Sequence, residues 1–348
     1  MRGFGSDNHS GVHPRILKAI ERANVEHMPS YGTDPITEEA NQLMRKIFGA
    51  EAETFFVFNG TAANVLALSA LVEPFHAVLA SEHSHLINDE CGAPEKNLGA
   101  KIIGLPSADA KVTPDLLRSR LVRRGDQHAS QVRAVSITQS TELGTIYSID
   151  EIRAISEFCR KERLLLHLDG SRLVNAAASL GCSLREITTD CGVDVMSLGG
   201  TKNGLLFGEA VVFLRAGLSE DFKYRRKQMM QLPSKTRFLA AQFHEFLGTA
   251  LWLENATHAN RMARLLAEGL SQSKYAKITQ AVQANAVFAR FPRKMVARLK
   301  ERAFFYVWNE TTFECRLMTT WDTTESDVRG FVQAVEELGP LHSDGSFV

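Results

Sequence analysis

The stretch IDEIRAISEFCRKERLLLHLD, Ile149 to Asp169, joins two periodicities without a break. Over Ile149–Glu162 the apolar residues Ile149, Ile152, Ile155, Phe158 and Cys159 recur at helical spacing, the pattern of an amphipathic helix. Residues 163–169, RLLLHLD, then run apolar without alternation and stop at a carboxylate. A strand that alternates has one wet face, whereas a strand that does not is covered on both. A helix feeding such a strand predicts a mostly parallel sheet with helices on both faces.

The same texture extends in both directions. TFFVF (54–58), HAVLA (76–80), AKIIGL (100–105), RAVSIT (133–138), DVMSL (194–198) and EAVVFL (209–214) read as strands of one style. HPRILKAIERAN (13–24), ITEEANQLMRKIF (36–48) and NGTAANVLALSALV (59–72) read as helices. After about residue 217 the pattern turns to long helices, and then to AVFARF, RKMVARLKE, AFFYVW, ECRLMT and TESDVRGFVQAVEEL. The expected organisation is a large α/β body over 1–245, N-terminal segment included, and a smaller C-terminal α+β domain over 246–348.

Composition narrows the function classes. The 348 residues are 44 % apolar and 23 % charged, ordinary for a globular protein. Lys plus Arg and Asp plus Glu both total 40, so no basic excess points to nucleic acid, and YRRKQ (224–228) is the densest basic run. The five cysteines (Cys91, Cys159, Cys182, Cys191 and Cys315) are odd in number and include no C-x-x-C, so they read as reduced thiols of a cytoplasmic protein. No leader-like segment is read at the start, and no apolar run approaches the ~20 residues that span a bilayer.

In a parallel sheet ligands gather at the carboxyl ends of the strands. Four strand ends carry reactive groups. FNGTAAN puts Gly60 and Thr61 at a helix N-terminus, which suits an anion or is simply a cap. SEHSHLINDECG carries His83, His85, Asp89, Glu90 and Cys91, but without metal-ligand spacing, so no metal is expected. HLDGSRL ends a buried strand on Asp169, which needs a cation: either Arg172 or the protonated ring nitrogen of a cofactor. SLGGTKNG places Lys202 at another strand end. It is not a Walker loop, and desolvation there favours a neutral, nucleophilic amine. An anion site, a strand-end acid and a strand-end lysine 33 positions later (202 − 169) are together the fittings pyridoxal phosphate requires.

On these motifs, with SDN, YGTD, DECGAPE and RLMTTWDT, the chain resembles the bacterial low-specificity L-threonine aldolases and the related L-phenylserine aldolases. The resemblance implies the fold type I of pyridoxal phosphate enzymes and covers nearly the whole chain. It implies that Lys202 holds the cofactor as an aldimine, Asp169 keeps the pyridine nitrogen protonated, and Gly60 and Thr61 hold the phosphate. Arg172 would contact the cofactor's phenolic oxygen or the substrate, and His85 would stack on the ring near the substrate hydroxyl. Ser6 and Arg316 would bind the substrate carboxylate. Tyr31, Lys227 and Arg237 would border a site across a subunit interface, in a homotetramer built as a dimer of dimers.

The implied reaction is retro-aldol cleavage of L-threonine, L-allo-threonine and related β-hydroxy-α-amino acids to glycine and an aldehyde. L-phenylserine cleavage and a β-eliminating lyase are the alternatives. The chain departs from the family in two places. Many members carry Glu-Asn-Thr-His before the aspartate strand, where Thr138-Gln139-Ser140-Thr141 stands here, so the second histidine is missing. The base is then His85, a water it holds, or the cofactor phosphate acting through water, with Thr141 and Glu142 as candidate holders of such a water. A glycine triplet before the interface arginine is also replaced, by QMMQLPSKTR.

Overall fold

Several helix starts are visible as local chemistry. In the computed structural model, which describes residues 2–342, α1 (Pro14–Ala23) and α2 (Pro35–Phe48) both begin on proline, whose missing N–H is not needed there. Asp34 caps α2 by accepting from Thr37 N at 2.8 Å. Ser148 and Glu151 form a reciprocal capping box at α7 (Ile149–Lys161). The remaining helices of the first body are α3 (Gly60–Ser69), α4 (His85–Asn88), α5 (Ala93–Leu98), α6 (Pro114–Arg118), α8 (Leu173–Leu180), α9 (Phe222–Gln228) and α10 (Arg237–Gly248).

The strands of this body are β1 (Glu53–Val57), β2 (His76–Ser81), β3 (Lys101–Leu105), β4 (Gln131–Thr138), β5 (Leu165–Gly170), β6 (Val195–Gly199) and β7 (Glu209–Phe213). They form one sheet in the order β1-β7-β6-β5-β4-β2-β3. The unbroken apolar runs have the expected cause. Leu79, Val135, Leu166, Met196 and Val212 enter the core under α1, α2, α7, α8 and α10. Their neighbours Val78, Ala134, Leu165, Val195 and Val211 enter the opposite core, under α3 and α9. Successive side chains face opposite sides of a sheet, so both sets must be apolar.

One strand differs from the uniform reading. β7 runs antiparallel to both β6 and β1, while β6, β5, β4, β2 and β3 pair in parallel. Only residues 200–208 join β6 to β7. A parallel crossover needs a dozen or more residues, so this connection can only turn back. β1, on the sheet edge beyond it, pairs with β7 alone.

The second body is built on α11 (Leu251–Ser271), α12 (Arg293–Arg302) and α13 (Glu325–His342). These pack on an antiparallel sheet in the order β10 (Tyr306–Asn309), β11 (Glu314–Met318), β9 (Ala286–Arg290), β8 (Lys277–Ile278). Its core includes Leu266, Phe291, Leu299, Phe305 and Phe331, and also Phe4. Phe4 N donates to Phe304 O at 2.6 Å, and Met318 N donates to Phe4 O at 2.7 Å. The first residues therefore pack with the C-terminal core, although the sequence reading grouped them with the large body. Among the described residues no helix is long and apolar enough to cross a membrane.

Candidate active site

β5 and β6 are parallel neighbours with Asp169 in register with Ser197, so the ends bearing Asp169 and Lys202 lie side by side. Beyond them opens a pocket of about 400 Å³, lined among others by Ser6, His85, Glu142, Arg172, Lys202 and Arg316. The large body supplies one wall, and β10 and β11 supply the other with Tyr306, Trp308 and Arg316.

Asp169 is 2 % exposed. Its Oδ2 accepts from Asn64 Nδ2 at 2.9 Å and its Oδ1 from Ser171 N at 3.0 Å. The orientation of the Asn64 amide follows from its neighbours. Ser197 Oγ accepts from Gly170 N at 3.3 Å, so its hydroxyl donates to Asn64 Oδ1 at 2.7 Å, and the Asn64 NH₂ is left for the carboxylates. That NH₂ also reaches Glu90 Oε1 at 3.2 Å. Burial raises the Asp169 pKa, but the charges of His85 and Lys202 and the Ser171 N–H outweigh it and hold the group below the ordinary carboxylate value. Among the described residues no cation comes within ion-pair distance of Asp169.

Arg172, the internal cation the sequence offered to Asp169, goes elsewhere. Its Nε and Nη2 donate to Asp7 Oδ2 and Oδ1 at 2.7 and 2.9 Å, a bidentate fork. Asn285 Nδ2 adds a third bond to Asp7 at 3.2 Å. Arg172 is the residue before α8, two positions past the strand end, and its guanidinium pairs with the N-terminal segment rather than with Asp169.

Lys202 lies in the short turn Thr201–Asn203, closed by Gly204 at φ +101. Burial first, and the charge of Arg172 second, lower its pKa. Among the described residues no carboxylate lies within ion-pair distance of its amine. Arg316 on β11 stacks over Trp308 at 4.4 Å from the ring centroid and touches Gly5 O only at 3.5 Å. Its Nε is buried without a partner. Burial, assisted by Arg172, pulls its pKa down to about 10. A guanidinium so placed is ready for an incoming carboxylate.

His85 opens α4. Its Nδ1 meets Glu90 Oε1 at 2.8 Å, and its backbone N donates to Glu142 Oε1 at 2.8 Å. Burial lowers the imidazole pKa, but the Glu90 bond and the Asp169 charge overcome that and leave it raised. Ser6 Oγ accepts from Asn8 N at 3.1 Å, which keeps its hydrogen available to a ligand.

Gly60 and Thr61 are the first two residues of α3, capped by Asn59 Oδ1 on Ala62 N at 2.9 Å. Among the described residues their own N–H groups have no acceptor, and a Cβ on Gly60 would meet nothing within 4 Å. Gly60 lies one turn before Asn64 on the same helix face, roughly 5–6 Å away. The open N–H groups at the start of α3 and Asp169 are therefore linked through one helix. A buried acid without a cation, a half-buried amine without an acid and open N–H groups one turn from Asn64 fit pyridoxal phosphate at its ring nitrogen, aldehyde and phosphate.

Thr141 does not line the pocket. Thr145 Oγ1 donates to Asp109 O at 2.7 Å, so the Thr141 hydroxyl must donate to Thr145 across 2.7 Å. Thr141 is buried and its hydrogen is already used, which removes it as a holder of active-site water. Tyr31, Lys227 and Arg237 lie outside this chain's pocket lining. Lys227 sits over the Tyr31 ring at 5.5 Å, and Arg237 donates to Val25 O and Glu26 O at 3.3 Å each.

Sequence reasoning assigned no role to Asn64, Asp7 or Trp308, and considered Glu90 only as a metal ligand. Asn64 carried a legible signal as a polar residue four positions after Gly60 in an otherwise apolar helix. Asp7 carried none, because its partner is 165 positions away.

The profile of the beta-eliminating lyase family matches residues 3–292. The low specificity L-threonine aldolase of Pseudomonas sp. (strain NCIMB 10558) is 42 % identical over 327 residues, 94 % of each chain. That of Pseudomonas aeruginosa is 44 % identical over 331 residues, again 94 % of each. The solved structure of Leishmania major threonine aldolase superposes with a TM-score of 0.92 at 30 % identity, covering 97 % of this chain and 99 % of that one.

Proposed function

Because the chain belongs to the beta-eliminating lyase family, and within it to the low-specificity L-threonine aldolases, we propose that it cleaves L-threonine and L-allo-threonine to glycine and acetaldehyde with pyridoxal phosphate held by Lys202. The observation that carries this reading is a set of charges left without opposite partners among the described residues: half-buried Lys202 and Arg316 in the lining of one pocket, and buried Asp169 on the strand end beside Lys202. When bound, the cofactor supplies a carbonyl carbon for amines and a cationic ring that accepts the electron pair of a breaking bond.

The chain's residues do the rest. The lowered pKa of Lys202 keeps its amine available as a nucleophile. Asp169, ionised and held by Asn64 and Ser171, keeps a proton on the ring nitrogen. Arg316 grips the substrate carboxylate as a fork, with Ser6 beside it. A carboxylate held there would fix the orientation of the bound substrate so that Cα–Cβ, rather than Cα–H, is the bond placed to break. Such positioning contributes on the order of 7–11 kcal/mol in model reactions. His85, with Nδ1 fixed by Glu90, would flank the bound ring and present Nε2 to the substrate oxygen.

Trp308 and Tyr306 in the facing wall give an aromatic β-substituent an apolar surface, which makes L-phenylserine the second substrate to test. Tyr31 with Lys227 over its ring, and Arg237 on the Val25 and Glu26 carbonyls, are read here as the parts that reach a neighbouring subunit's site in a homotetramer; sedimentation velocity tests that assembly. The five free thiols suit the reducing cytoplasm. Product analysis tests the reaction itself. L-threonine should yield acetaldehyde and glycine in equal amounts without ammonia, whereas ammonia release would assign a β-eliminating lyase.

A further inference from the structure

Glu142 follows the carboxyl end of β4 at the tip of a tight turn closed by Thr141 N to Thr145 O at 2.9 Å and Gly144 N to Thr141 O at 2.9 Å. Gly144 takes φ +75 there and packs against Ala286 of the second sheet, so the turn is held from both bodies. The turn aims Glu142 into the pocket, where it is 8 % exposed. One oxygen is fixed, because Oε1 accepts His85 N at 2.8 Å. The other, Oε2, is buried and has no partner. An unmet buried polar atom costs roughly 1–3 kcal/mol. A pocket-lining carboxyl with one oxygen anchored and the other buried and unpaired is an arrangement that a substrate hydroxyl would complete.

We propose, on the aldolase reading above, that Glu142 Oε2 takes the β-hydroxyl proton of the substrate during cleavage and returns it to the aldehyde oxygen during condensation. The β O–H bond breaks, and its electron pair becomes the second C–O bond of the aldehyde. The Cα–Cβ pair stays with Cα, and the proton passes to Oε2. Cα then gains one proton from water to become glycine, and Glu142 loses its own to water, so no net proton is made or consumed.

The surroundings favour Glu142 over its neighbours for this step. His85 is anchored through Nδ1 to Glu90 and its pKa is raised, which favours the charged form that cannot accept a proton. Asp89, the other acid of the lining, is exposed to solvent. The groups facing Glu142 are His85 from α4, Asp169 from β5, and Arg172 and Lys202 beyond it. Burial first, and then the Asp169 charge, raise the Glu142 carboxyl to about 7, where it can both take and give a proton under ordinary conditions.

Glu142→Gln keeps an oxygen for His85 N and removes the proton site. In the cofactor-loaded enzyme, L-threonine cleavage should fall by about 10²–10⁴-fold in kcat with little change in KM. The rise of wild-type kcat with pH through the neutral range should vanish. Exchange of the glycine Cα hydrogen with deuterated water, followed by NMR, needs no β-oxygen and should stay within about threefold of wild type. Infrared titration of the holoenzyme should show a protonated carboxyl that ionises near neutral pH in wild type and is missing in the variant. Glu142→Asp should recover part of the cleavage and the pH limb, and decides the matter by the same ratio should the Gln variant fail to fold. Cleavage within a few-fold of wild type, or equal loss of cleavage and exchange, would overturn the proposal. Absence of threonine cleavage in wild type would instead overturn the aldolase reading.

Discussion

Two sets of buried and half-buried charge stand in and beside this pocket and are solvated in opposite ways. Arg172 and Asp7 satisfy each other completely, through two parallel bonds and a third from Asn285. Lys202 and Arg316 line the pocket from opposite walls and Asp169 ends the strand beside Lys202, yet none of the three meets an opposite charge among the described residues. Burying an ion is costly in both cases, several kcal/mol even after relaxation. In the first set the protein offsets that cost itself. In the second it offsets part with neutral donors such as Asn64, and the remainder is available to whatever binds. The paired set therefore fixes the N-terminal segment against α8, and the unpaired set defines the ligand.

Substitutions on the two sides should separate cleanly. Lys202→Ala is expected to abolish glycine formation while the circular dichroism spectrum and urea midpoint survive, because the amine it removes is desolvated and unpaired. A variant that unfolded would move Lys202 into the structural set.

Asp7→Asn should do the reverse. It leaves the Arg172 guanidinium buried without its anion and should cost about 3–5 kcal/mol in urea denaturation. The pH dependence has a fixed sign. Although burial alone would raise it, Arg172 holds the Asp7 pKa below its ordinary 3.8. The pair's contribution is thus fully present above that value and is lost as pH falls through the lower folded-state one. Equal acid sensitivity of wild type and variant would break the contrast.

Arg316→Ala should give the smallest of these effects, roughly a hundredfold loss in kcat/KM, since the carboxylate it orients is misplaced rather than absent. Its urea midpoint should stay near wild type. Near-wild-type kinetics would remove Arg316 from the unpaired set.

The sequence made some of this contrast legible and hid the rest. Asp169 and Lys202 could be placed because each ends an apolar strand and 33 residues (202 − 169) fit one return across the sheet. The antiparallel β7 was equally written, in a nine-residue return (200–208) too short for a crossover, but its apolar run resembles its neighbours'. The Arg172–Asp7 pairing was not legible, because no local pattern reports a contact made 165 residues apart. Near Arg172 the sequence shows only the closer acid, Asp169, and proximity along the chain suggested the wrong partner. Thr141 and Glu142 are adjacent, and only the geometry of the turn decides which of them faces the pocket.

The central claim is that Lys202 belongs to the unpaired set because its partner is the cofactor's aldehyde. Borohydride reduction of the purified holoenzyme, followed by peptide mass spectrometry, tests this most directly. The account predicts a single cofactor-derived mass addition on the peptide containing Lys202. Addition at another lysine, with Lys202 unmodified, would contradict it.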